Sequence, residues 1–168
     1  MKRMICLLLA GMLAVSMGCA PAQEENLPEQ MPQKSDTSAQ DALPTYDVLL
    51  PTLPEGVDEG SLTLMQLPDR QQYVYGGDAR LVLEVMEPGA DETLAETQSE
   101  TAGEKTVAAY VFAAGDIQYP GLSDTVLQGM ARPSDGDQVL EWTENGRFYR
   151  LFGDFSRETL LAVAADVT

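Results

Sequence analysis

Between Val139 and Phe152 the chain reads VLEWTENGRFYRLF, with Asn145-Gly146 at its middle. A two-residue hairpin needs positive φ at its turn positions, and Asn-Gly accepts that at least cost. Fixing the turn fixes the register. Counting outward pairs Glu144 with Arg147, Thr143 with Phe148, Trp142 with Tyr149, Glu141 with Arg150 and Leu140 with Leu151. Leu140, Trp142, Tyr149 and Leu151 then share one face. Glu141 and Arg150 meet on the other. A slip of one residue would exchange the faces, so the agreement of turn, apolar side, aromatic pair and charge pair specifies one pairing. A chain that commits to this hairpin commits to an antiparallel sheet.

Other segments supply further strands. Ser61–Gln66 alternates, with Leu62 and Leu64 on one face. Gln71–Tyr75 places Tyr73 and Tyr75 together; Gly76-Gly77-Asp78 is a turn signal; Arg80–Glu87 alternates Leu81, Leu83 and Val85. Thr106–Ala113 is apolar and partly β-branched, as in an interior strand, and Leu122–Met130 reads as one more strand. Residues 88–104 carry five acids and no base, which predicts a mobile acidic loop with room for a short helix near Leu94. After Gly153, Ser156 is a natural N-cap and Phe155 with Leu160 forms a hydrophobic staple. Leu160, Val163, Ala164 and Val167 fall on one helical stripe. The expected fold is α+β: a curved antiparallel sheet, a meander of hairpins, packed by a C-terminal helix and built from residues 46–168 as one domain.

The last third resembles a known family. Trp142-Thr143-Glu144-Asn145-Gly146, then Phe148-Tyr149-Arg150-Leu151-Phe152-Gly153, then Phe155-Ser156 and a helix with Leu160-Leu161-Ala162-Val163-Ala164, is similar to a bacterial domain of unknown function. Leu53-Pro54-Glu55-Gly56-Val57 fits that family's opening element. The domain is found in extracytoplasmic Gram-positive lipoproteins and in anti-sigma-factor-like membrane proteins, with a shape like the lipoprotein-carrier and anti-sigma-regulator group. The resemblance implies a fold and a compartment, and no catalytic residues.

The N-terminus has its own pattern. Lys2 and Arg3 precede an uncharged apolar run from Met4 to Val15, and Ser16-Met17-Gly18-Cys19 follows. About a dozen apolar residues are too few to span a bilayer as a mature helix but suit an export signal. The segment resembles the lipobox of bacterial lipoproteins, in which the Cys thiol receives a diacylglyceryl group and becomes the first residue. That implies a signal peptide over residues 1–18, lipidation at Cys19 and a place on the extracytoplasmic face of the cell membrane. Ordinary secretion, with cleavage at Ala20-Pro21-Ala22, is the alternative. A disulfide would have to join Cys19 to Cys6, which lies within the signal. Residues 19–45 are rich in Pro, Gln, Glu, Ser and Asp with no periodic apolar face, the composition of a disordered tether.

Composition narrows the chemistry. With 10 Lys+Arg against 27 Asp+Glu the net charge is −17, which repels nucleic-acid phosphates. There is no histidine, so His-dependent triads and His-ligated zinc are excluded. Asp135-Gly136-Asp137 suggests calcium, but Val139 stands where a third oxygen ligand is needed and Gly146 where the Glu should be. A turn before a strand is the better reading. No metal or cofactor is expected. Trp142, Tyr149 and Tyr110 are core residues or, failing that, the lining of a cleft. The expected function is a noncatalytic binding or sensing domain held at the membrane through Cys19, its partner an envelope protein, a lipid or a glycan. The alternatives are a glycan hydrolase using paired carboxylates and a structural accessory subunit of an envelope complex.

Overall fold

The computed structural model describes Thr45, Tyr46, Val48 and residues 52–168. The expected signal peptide, Cys19 and the tether up to residue 44 lie outside the described residues. In chain order, a 3-10 turn at Glu59–Ser61 leads to β1 (Thr63–Gln66), β2 (Arg70–Tyr75) and β3 (Leu81–Met86). Then come β4 (Glu92–Thr93), β5 (Gln98–Ala102), β6 (Lys105–Val111), β7 (Ile117–Gln118) and α1 (Asp124–Gly129). The chain ends with β8 (Gln138–Glu144), β9 (Arg147–Gly153) and α2 (Arg157–Asp166).

Seven strands form one open antiparallel sheet in the order β1-β2-β3-β9-β8-β6-β5. It is two meanders, β1 to β3 and β5 to β9, joined where β9 pairs with β3. The α+β architecture with a C-terminal helix is as the sequence implies. The β8–β9 register matches the count from the turn at every pair from Leu140↔Leu151 to Glu144↔Arg147. Asn145 and Gly146 both have positive φ, 52° and 74°, as a type I′ turn requires. At the far end of β9, Gly153 runs so close to β3 that a Cβ there would collide with the Arg80 carbonyl oxygen.

Alternation divides the side chains between two faces. One carries Tyr73, Tyr75, Leu81, Leu83, Val85, Leu140, Trp142, Tyr149 and Leu151, packed with Leu160, Val163, Ala164 and Val167 from α2 and its end. Ser156 Oγ accepts from the Thr159 N–H at 3.3 Å, so the helix starts at the expected cap. Lys105 Nζ donates to the carbonyls of Ala164, Ala165 and Val167, closing the helix with a cation at the negative end of its dipole. Tyr46 covers the β2 side: its N–H donates to Gln71 Oε1 at 3.0 Å and its carbonyl accepts from the Tyr73 hydroxyl at 2.7 Å. Every strand and both apolar clusters fall within the compact unit Gln40–Thr168, so a fragment of those bounds contains a complete core.

Two segments depart from the expectation. Leu122–Met130 is not a strand: Ser123 caps α1, its Oγ accepting from the Val126 N–H at 3.4 Å. Ser123-Asp124 near its start and Gly129 near its end are helix signals that outweigh the short apolar alternation. Residues 88–104, expected as a loop, contain β4 and β5. Strand β5 reads QSETA and buries only Ala102, because it is an edge strand held by backbone pairing to β6. Its sequence signal is the turn, Gly103 at φ 60° followed by Glu104, a Gly-X hairpin connection.

Candidate functional site

The second face of the sheet is polar at its centre. The strand register places Gln72, Glu84, Arg150 and Glu141 side by side across β2, β3, β9 and β8. Arg70 lies two residues before Gln72 on the same face. Alone, this row would hold two guanidiniums and two carboxylates under whatever covers the face. The cover is made by residues 88–97 and 112–137, and the first of these supplies a third carboxylate, Asp91.

Asp91 binds both arginines. It accepts from Arg70 Nη1 and Nη2 at 2.7 Å each and from Arg150 Nη1 at 2.6 Å. Glu84 accepts from Arg150 Nη1 at 2.9 Å and from the Gln72 amide at 2.8 Å, and stands 3.5 Å from Arg70 Nη1. Glu141 accepts from Arg150 Nε at 2.7 Å, from the Tyr110 hydroxyl at 2.9 Å and from the Thr93 hydroxyl at 2.9 Å. Asp69, at the rim, holds Arg70 Nη2 at 2.7 Å. The side chains of Arg70 and Arg150 are wholly buried. Burial opposes the Arg70 charge, but its bonds to Asp69 and Asp91 and the field of Glu84 outweigh it and raise the guanidinium above its ordinary value. For Arg150, Glu84, Glu141 and Asp91 likewise overcome desolvation. Arg150 Nη2 is buried with no hydrogen-bond partner.

This cluster fastens the cover to the sheet. Asp91 and Thr93 hold the first covering segment. Gln72 holds the second, its amide donating to the Ala131 carbonyl at 2.7 Å and its oxygen accepting from the Ala131 N–H at 2.9 Å. Tyr119 closes the side, its ring 5.5 Å from the Arg70 guanidinium carbon. Burial, with the nearby Glu84 charge, pushes the Tyr119 phenol up to about 12. Burial also raises Tyr110, with Glu141 beside it adding to the effect.

Within the second covering segment is a cavity of about 510 Å³, whose walls include Phe112, Ile117, Tyr119, Leu127, Met130 and Arg132. A second, more open hollow of about 440 Å³ lies over β5, β6 and β8, among Ser99, Thr106, Glu141, Thr143 and Phe148.

The structure does not bring Trp142, Tyr149 and Tyr110 into one cleft. Trp142 and Tyr149 stack at 5.1 Å and 5° on the helix-covered face, both 3% exposed. They are core. Tyr110 lies on the opposite face against Glu141. Asp135-Gly136-Asp137 is a turn: Asp137 accepts from the Ser134 N–H at 2.8 Å and pairs with Arg80 at 3.2 Å. Among the described residues no cluster of three or more His, Cys, Asp or Glu is placed to hold a metal.

Sequence reasoning found Glu141 facing Arg150 but missed Arg70, Glu84 and Asp91. The signal for the first two was charge inside otherwise buried strands. Glu84 interrupts LVLEVM, and a carboxylate in such a run needs a buried cation. Asp91 carried no such signal. No protein-family model matches the chain, and no curated protein or solved structure matches it. The resemblance of the last third therefore rests on its own residues.

Proposed function

We propose that this chain is an exported, lipid-tethered, noncatalytic binding or sensing domain on the extracytoplasmic face of the cell membrane. The observation that carries the binding role is the cavity of about 510 Å³ within a covering segment that the Gln72–Ala131 hydrogen bonds hold on the sheet. A preformed hollow of 300–1,000 Å³ on a rigid support is the usual form of a small-molecule site. Hydrolysis of a glycan would need one free carboxylate and one carboxylic acid across an open cleft. The buried carboxylates of this face are instead bonded to arginine, which supports a clamping role for them. The tether is supported by the apolar run ending at Gly18-Cys19, and two acyl chains on one thioether anchor stably where a single chain does not.

The test is fractionation of cells expressing the full chain and its Cys19→Ala variant. The parent is expected in the membrane fraction and the variant in the soluble exported fraction, with the same melting temperature for the folded domain. A Cys19→Ala protein that stays with washed membranes would refute the tether.

A further inference from the structure

Among the described residues, the cations are almost all committed. Arg70 and Arg150 are in the buried cluster, Arg80 pairs with Asp137, Lys105 with Glu144 and the end of α2, and Arg157 with Glu100. Arg147 stacks on the Tyr46 ring at 5.1 Å. Arg132 differs. Among the described residues it has no carboxylate within ion-pair distance and no aromatic partner, although the chain has 27 acids for 10 bases. It is also the one basic residue in the wall of the 510 Å³ cavity. In so acidic a chain, a cation that no carboxylate has captured is available to an external anion.

A second unbonded donor lines the same cavity. The Tyr119 ring is fixed over Arg70, and its hydroxyl makes no hydrogen bond among the described residues. A phenol is protonated, hence a donor, at neutral pH, and burial raises this one further. The remaining wall is mixed: Phe112, Ile117, Leu127 and Met130 supply apolar surface beside the polar Gln128 and Ser134. Asp135 also borders the cavity, exposed to solvent. It opposes an anion weakly and should be felt as a like charge.

We propose that this cavity binds a small amphiphilic anion, with a carboxylate or phosphate head on Arg132 and Tyr119 and an apolar body against Phe112, Ile117, Leu127 and Met130. The inference rests on the reading of the chain as a binding domain and names the ligand class of its cavity. A cationic amphiphile would place its charge against Arg132. A neutral one would leave the charge of Arg132 unmatched. A free inorganic anion would leave the apolar wall in water.

The test is calorimetric titration of the 40–168 fragment below the micelle concentration of each probe. The probes are decanoate, decyl phosphate, decyltrimethylammonium, decanol and inorganic phosphate. Decanoate and decyl phosphate are expected to bind one to one. The cationic probe and inorganic phosphate should each be at least about tenfold weaker, the scale of one charge-assisted hydrogen bond. Arg132→Gln should weaken both anions by about tenfold and leave decanol unchanged. Asp135→Asn should tighten both anions. Both side chains are exposed, so neither change should unfold the domain. If decanol or decyltrimethylammonium binds as tightly as decanoate, the anionic assignment is wrong and the binding-domain reading survives. If inorganic phosphate matches decyl phosphate, the apolar body is wrong. If no probe binds, the site itself is refuted, whatever the Cys19 fractionation shows.

Discussion

Asp91→Asn tests whether the buried cluster holds the fold together. The carboxylate accepts three short bonds, two from Arg70 and one from Arg150. Charge-assisted bonds contribute about 1.5–3 kcal/mol each. Asn keeps one carbonyl oxygen; in the Oδ2 position it retains two of the three bonds, while the bond from Arg70 Nη2 is lost and an amide donor faces that guanidinium instead. Two effects offset this. The desolvation of a buried carboxylate disappears. The buried set also changes from three carboxylates on two guanidiniums to two on two, because Glu84 and Glu141 remain against Arg70 and Arg150. The expected net cost is about 2–3 kcal/mol. Arg150→Met is the contrast. It leaves Glu84 and Asp91 with Arg70 alone and Glu141 with no cation, and removing one partner of a buried pair then costs about 3–5 kcal/mol or more. Urea unfolding of the 40–168 fragment at neutral pH gives both values from the midpoints at constant slope. Salt screens buried pairs far less than exposed ones, so the difference should persist in 1 M NaCl, an ionic strength at which the Debye length is about 3 Å. An Asp91→Asn protein as stable as the parent, or less stable than Arg150→Met, would refute the charge accounting.

Trp142→Ala should cost about 3–5 kcal/mol, and Trp142→Phe much less, because the buried indole N–H has no hydrogen-bond partner to lose; chemical denaturation of the two variants measures the difference. Single-Trp emission should be blue-shifted and protected from iodide, since the only Trp is buried; red, quenchable emission would contradict its place in the core. The raised Tyr119 pKa means that the folded state holds this proton more tightly than the unfolded chain, whose phenols titrate near ~10. Its contribution is therefore complete below about pH 10 and lost as pH rises toward about 12, and Tyr119→Phe should flatten the fall in melting temperature across that window. Gly153→Ala should destabilise by several kcal/mol, on the order of other large steric lesions, because its Cβ would meet the backbone of Arg80; a thermal melt within a degree of the parent would show that β3 and β9 can move apart there.

The sequence determined what neighbours along the chain can settle between themselves. Asn145-Gly146 set the β8–β9 register, because a two-residue turn leaves only one pairing that keeps Trp142 opposite Tyr149. Ser156 and the Leu160–Val167 stripe set the start and the buried side of α2. Alternation also assigned most strand residues to their faces. What the tertiary structure decided lies further apart. Arg150 meets Glu84 across 66 residues and Asp91 across 59, and no local pattern marks such a meeting. Asp91 looked like one more solvated acid in a run without bases. It is buried because the segment between β3 and β5 lies over the polar half of the sheet, where Arg70 of β2 and Arg150 of β9 would otherwise be left short of carboxylates. The strand β5 and the short helix α1 were equally hidden, the first because an edge strand needs backbone partners more than apolar side chains, the second because one and a half turns give too few residues for a period. The cavity, with Arg132 and Tyr119 in its wall, lies within one covering segment, residues 112–135, and that segment is seated on the sheet by the bonds of Ala131 to Gln72, 59 residues away, a meeting that no stretch of chain marks by itself.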